Sequence, residues 1–168
     1  DRAKLVKLYL AGEGPERPAL ERQIADLRLD GRVRLLGRVS AEDLPRLYTA
    51  ADLFVLPTCA LEGFGLATLE ALACGTAVAA TPVGGTPEWL AKLDQRMVTA
   101  DSTSGAIADG ILRMLEVSGT GGDDLRRRCR GYAEQFSWSR VAHQFEGELG
   151  RLLETAVPRR GTHQWSPT

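Results

Sequence analysis

Four short apolar runs set the strongest limit on how this chain can fold. They are "LVKLYLAG" (5–12), "RVRLLG" (32–37), "DLFVLP" (52–57) and "TAVAAT" (76–81). Each is halted by glycine or proline, and a segment with helical patterning follows each one. Short apolar runs bounded by turn residues read as buried strands, and strands alternating with helices predict βαβ units. The expected fold is therefore α/β: a Rossmann-like parallel sheet with helices on both faces. Ligands of such sheets bind beyond the carboxyl ends of the strands. The loops at 12–15, 37–40, 57–64 and 81–86 then share one functional edge.

The helices have their own signals. Leu20, Ile24 and Leu27 recur at helical spacing, and Asp30-Gly31 supplies a stop. Ser40, three residues before Asp43, predicts a cap for "AEDLPRLYTAA". "LATLEALAC" is rich in helix formers and closes at Gly75, and Pro87 suits the opening of "PEWLAKL". Further helices are expected near 103–116, 123–135 and 138–155. Trp89, Phe136 and Trp138 read as packing anchors and Cys74 as a small buried residue at a helix end. The basic run "LRRRCRG" (125–131) reads as a solvated helix face, being offset by Asp123, Asp124 and Glu134. The domain is expected over residues 1–156, with 137–156 its C-terminal helix and 157–168 a tail.

Charge and cysteine usage remove several classes of function. The formal net charge is -1, which argues against electrostatic capture of nucleic acid or of an anionic membrane. Cys59, Cys74 and Cys129 are scattered without CxxC spacing, and the histidines are only His143 and His163. That pattern speaks against a zinc site or a disulfide framework and suits a reducing cytoplasm. No apolar stretch is long enough to span a bilayer, and no signal peptide opens the chain. The sequence enters a strand almost at once, as if cut from within a larger protein.

Chemistry concentrates in "PTCALEGFGLATLEALACGTAVAATPVGG" (57–85). A turn with Gly63 and Gly65 runs straight into a helix, whose first N–H groups and partial positive charge suit a phosphate. Glu62 precedes the turn and Glu70 lies about five residues into the helix. Carboxylates beside a phosphate need other partners, and hydroxyls are suitable because an ionised carboxylate accepts O–H donors strongly. A nucleotide-sugar, with hydroxyls at both ends of a diphosphate, matches. A second reading stands beside it, in which the turn is packing alone and both glutamates are solvated.

The segment resembles the donor-binding motif of retaining glycosyltransferases of the GT-B fold, the glycosyl transferases group 1 family. Its mark is Glu-x7-Glu, met by Glu62 and Glu70. "LAGEGPE", "RVRLLGRVSAEDLPRLYTAADLFVLPT", "GGTPE" and "FSWSRVAHQFEGEL" follow the family order, from about residue 5 to about residue 155. The resemblance implies that Glu62, the catalytic candidate, contacts donor-sugar hydroxyls near the reacting end, and that Glu70 accepts from the ribose hydroxyls. It implies that the N–H groups of Phe64, Gly65 and Leu66, in the turn with Gly63, hold the diphosphate or sugar. Arg38 and Val39, with Ser40, would border the base.

The reaction so implied moves a sugar from a nucleotide-diphosphate sugar to an acceptor hydroxyl with retention. The resemblance implies no obligatory divalent metal and no cofactor besides the donor substrate, and the lack of any Asp-x-Asp agrees with that. The resemblance implies a Gly-Arg and then a Lys before the first strand, and an N-terminal acceptor domain, and both are expected to be missing from this stretch. The fragment alone is then expected to be inactive, with an exposed face where the absent segment packs and a dimer as one way to cover it. The longer protein is expected in the cytoplasm, with peripheral membrane association an open alternative. A stand-alone nucleotide-sugar-binding module without catalysis is the competing function. Finally, "AKLDQRMVTADSTSG" departs from the family pattern, so the fifth strand is expected to be short or frayed.

Overall fold

The computed structural model describes residues 6–156, which fall into two compact units divided between Ala51 and Asp52. The expected tail, 157–168, lies outside the described residues.

In the first unit, β1 (Leu8–Ala11) and β2 (Val33–Gly37) pair in parallel, Leu8 opposite Val33 and Leu10 opposite Leu35. Helix α1 (Arg17–Asp26) forms the crossover that a parallel pair requires. The register slips at Ala11, which pairs with Gly37, and Gly12 N–H donates to the Gly37 carbonyl at 2.7 Å. The helix stop lies earlier than Asp30-Gly31. Arg28 takes the left-handed conformation (φ 52°), its N–H bonds Ala25 O, and Leu29 N–H bonds Ile24 O. Those two bonds are a Schellman closure. Leu27 consequently leaves the apolar face and is 59% exposed, while Leu29 is half-buried in its stead. The expected Ser40 cap is present: its Oγ accepts from Asp43 N–H at 3.0 Å and donates to Asp43 Oδ2, opening α2 (Asp43–Ala50).

In the second unit, β3 (Phe54–Leu56) and β4 (Val78–Ala80) also pair in parallel, with α3 (Leu66–Ala73) as their crossover. Gly75 (φ 80°) closes α3 through Gly75 N–H to Leu72 O and Thr76 N–H to Ala71 O, the same Schellman pair with glycine at its left-handed position. All three β4 residues are buried, which is why "TAVAAT" carries no polar alternation. The fifth strand is reduced to a single parallel bridge, Val98 to Ala80, after a 3-10 turn at Gln95–Met97.

Helix α4 (Thr86–Leu93) follows β4, with Pro87 one residue inside its start. Helix α5 (Ser104–Ala133) breaks at Gly122 (φ 44°, ψ −130°), so the two helices expected near 103–116 and 123–135 meet there. It packs on α3 and β4, and the largest fully buried side chains of the core, Leu72, Leu90, Met97 and Met114, lie in this unit.

Three sequence expectations change here. The basic run is more than a solvated face: Arg128 donates to Leu93 O and Arg130 to Cys74 O. Both carbonyls end helices, α4 and α3, where unpaired acceptors attract cations. Cys74 itself is half-buried, not buried. Trp138 is no packing anchor, being 84% exposed at the start of α6 (Trp138–Ala156). Ser137 turns extended (ψ 144°) after Phe136, sending the chain outward. Trp138, Val141, Phe145, Leu149 and Leu152 then form an exposed apolar stripe at helical spacing.

Candidate functional site

The site is built where the loops leaving β3 and β4 meet. Glycine makes that meeting possible. Gly85 N–H donates to Gly63 O at 2.8 Å, and a Cβ on Gly84 would run into the Glu62 carbonyl oxygen. Gly65, at φ 78°, leaves no room for a Cβ beside the Thr86 hydroxyl. Backbone therefore lies on backbone where 62–63 meets 84–85, and the Thr86 side chain lies against Gly65.

Glu62 is half-buried, and both of its oxygens are held. Oε1 accepts Gly65 N–H at 3.0 Å, and Oε2 accepts the Thr58 hydroxyl at 3.3 Å. Thr58 is tied in turn: buried Thr81 donates through Oγ1 to Thr58 O at 2.6 Å. The Gly65 amide, expected to face a ligand, is thus already engaged by the nearest carboxylate, the best acceptor within reach of a helix N-terminus. Among the described residues the Phe64 and Leu66 N–H groups have no protein acceptor. The arrangement therefore presents two unspent donors at the positive end of α3, beside an oriented carboxylate. Glu70 is exposed in the fifth position of that helix. Arg38 and Val39 belong to the first unit, just after β2, exposed and half-buried respectively.

An aromatic cluster supports the turn from beneath. Phe64 stacks on Trp89 with centroids 5.3 Å apart, and Phe136 meets both rings edgewise or tilted. Trp89 Nε1–H donates to Phe64 O at 2.9 Å and the Thr86 hydroxyl to the same oxygen at 3.2 Å. Tyr132 stacks on Trp89 and donates its hydroxyl to Trp89 O at 2.6 Å. Burial raises the Tyr132 phenol above its usual pKa, so it remains a neutral donor. Burial likewise pushes the Cys129 thiol up to about 11, which leaves it unreactive. Tyr132→Phe should cost about 1 kcal/mol by loss of one hydrogen bond. A urea-denaturation midpoint equal to that of the parent would contradict this.

The Phe64 ring and carbonyl are thus both engaged by this cluster, while its N–H has no protein acceptor among the described residues. Sequence reading missed Thr58, Thr81, Thr86 and Tyr132. Threonines at strand exits carry no distinctive spacing, and Tyr132 sits 43 residues from the carbonyl it binds. Among the described residues no three His, Cys, Asp or Glu side chains gather to hold a metal ion. No described helix is long and apolar enough to cross a membrane.

Residues 2–136 match the family described as glycosyl transferases group 1. A D-inositol 3-phosphate glycosyltransferase from Mycobacteroides abscessus is 35% identical over 160 residues, covering 93% of this chain and 35% of that protein. The O-antigen chain mannosyltransferase B of Escherichia coli is 40% identical over 120 residues, covering 68% of this chain and 29% of its own. Among solved structures, sucrose-phosphate synthase from Thermosynechococcus elongatus aligns with a TM-score of 0.73 at 30% identity, over 90% of this chain and 39% of that one. Anabaena HepE in complex with UDP and glucose aligns with a TM-score of 0.74 at 27% identity, over 87% and 41%. The chain spans about a third of the length of the curated relatives it matches. These neighbours share the expected α/β class of GT-B glycosyltransferases. With the family match running from β1 through the glycine turn to Phe136, the chain belongs to the glycosyl transferases group 1 family.

Proposed function

We propose that this chain is the donor-binding part of a retaining glycosyltransferase, which moves a sugar from a nucleotide-diphosphate sugar to an acceptor hydroxyl. One observation carries the reading: unspent Phe64 and Leu66 amides at the N-terminus of α3, flanked by a Glu62 carboxylate held at both oxygens. The amides and the helix end attract the diphosphate. Glu62 accepts hydroxyls of the sugar and Glu70 those of the ribose. HepE, solved with UDP and glucose, supports a donor of this chemical class.

Catalysis then rests on placement and electrostatics, with the leaving diphosphate helping to take the acceptor's proton on the same face. No metal is required by this scheme. The remaining length of the protein supplies the acceptor site and further cations for the diphosphate, in a cytoplasmic enzyme.

Calorimetric titration with UDP, GDP and ADP, each bare and sugar-linked, tests the reading. One base should give saturable binding, and Glu70→Ala should weaken it roughly 10- to 100-fold, as befits hydrogen bonds to a charged acceptor. Binding unaffected by Glu70→Ala would remove the ribose role. No binding by any of them at millimolar concentration would overturn donor binding by this chain. Tight donor binding without turnover in the full-length protein would favour the non-catalytic binding module.

A further inference from the structure

Glu62 can address a sugar productively only if its carboxylate plane is held, because the terminal torsion of a glutamate is broad and nearly two-fold. The Gly65 N–H fixes one oxygen and leaves rotation about that contact free. The second constraint comes from a residue with no assigned role. We infer that Thr58 is a positioning residue for Glu62, its hydroxyl setting which carboxylate lone pairs face the donor sugar; this rests on the donor-binding reading above.

Three observations support it. The Thr58 hydroxyl donates to Glu62 Oε2 at 3.3 Å, the oxygen that Gly65 does not hold. An ionised carboxylate offers about four lone-pair sites. With one on each oxygen taken by a protein donor, one on each is left for two sugar hydroxyls.

The carrier of the hydroxyl is itself held. Thr81 is 2% exposed, donates to Thr58 O at 2.6 Å, and shares its proton with Leu56 O at 3.4 Å, so the loop is tied to the end of β3. Finally, the segment between the two residues is not shaped by packing. Leu61 takes a left-handed φ of 61° with its side chain fully exposed, a conformation unfavourable for leucine and uncompensated by burial. The ends of the loop are held instead, Thr58 by its hydrogen bonds and Glu62 by its own and by the close approach of Gly84.

A positioning role differs from a purely structural one in what it leaves untouched. The diphosphate and ribose do not use Glu62 in this scheme, so a disoriented Glu62 should harm only the sugar contact. Thr58→Val removes the hydroxyl at nearly constant shape, and Thr58→Ser returns it. The expected result is about tenfold weaker binding of the sugar-linked nucleotide by Thr58→Val, the loss of one or two hydrogen bonds to a charged group. Bare nucleotide should bind as before, and Thr58→Ser should restore the parent affinity. Equal weakening of both ligands, no weakening of either, or no rescue by serine would overturn the inference.

A ligand-free measurement separates this from failure of donor binding itself. In NMR spectra of the ligand-free protein the Gly65 amide resonance should keep its position in Thr58→Ser and move in Thr58→Val, because the carboxylate that accepts this amide is no longer held at its second oxygen. If the parent binds no nucleotide, donor binding fails while this coupling is still read. A Gly65 resonance unmoved by Thr58→Val means that the hydroxyl does not orient Glu62.

Discussion

Trp89→Ala is expected to remove about 3–5 kcal/mol of stability, the usual cost of truncating a buried large aromatic. The indole is 6% exposed and is stacked or tilted against Phe64, Phe136 and Tyr132 at centroid distances of 5.3, 5.4 and 6.5 Å. It also donates to the Phe64 carbonyl, which would keep only the longer Thr86 bond. Because that carbonyl belongs to the glycine turn, the loss should reach the site as well as the core. Trp89→Phe separates the two effects, retaining much of the packing and losing the donor. Urea denaturation of both variants is the measurement. A loss below about 1 kcal/mol for Trp89→Ala would mean that the cluster does not hold the turn.

Gly84→Ala is expected to have the second largest effect, about 3 kcal/mol, although it adds one methyl group. Gly84 has φ 69°, where an L side chain costs roughly 1–2 kcal/mol in backbone strain alone. The new Cβ would also lie on the Glu62 carbonyl, with that carbon 2.6 Å away. No rotamer change relieves a clash with backbone, so the loop after β3 must move and Glu62 with it. Gly63→Ala is the control, since a Cβ there meets nothing within 4 Å. Gly84→Ala should lose sugar-linked nucleotide binding and much stability, whereas Gly63→Ala should change stability little. Equal effects from the two substitutions would show that the close approach of the loops is not what requires glycine.

Much of this could be read from the chain because it depends on residues close in sequence. The glycine at 75 announces a left-handed helix end, and a Schellman pair forms there. Ser40 and Asp43 announce a cap, and both bonds are made. The departure at 91–105 predicts a weak fifth strand, and one bridge is what remains. Local signals mislead where two stops compete. Arg28 closes α1 before the more obvious Asp30-Gly31, and Leu29 takes the place expected for Leu27.

The alternation of strands and helices, the glycine turn and the spacing of Glu62 and Glu70 were legible in the chain, because strand period, capping and φ preference act within a few residues. The rest depends on how the folded chain brings groups together: Glu62 takes the Gly65 amide, Thr86 and Trp89 secure the Phe64 carbonyl from 22 and 25 residues away, and Arg130 reaches Cys74 across 56. The fold also leaves Trp138 outside, on a helix whose apolar stripe would read equally well as buried. Periodicity fixes which side chains share a face, but only the approach of distant segments determines which donors are spent and which faces are covered.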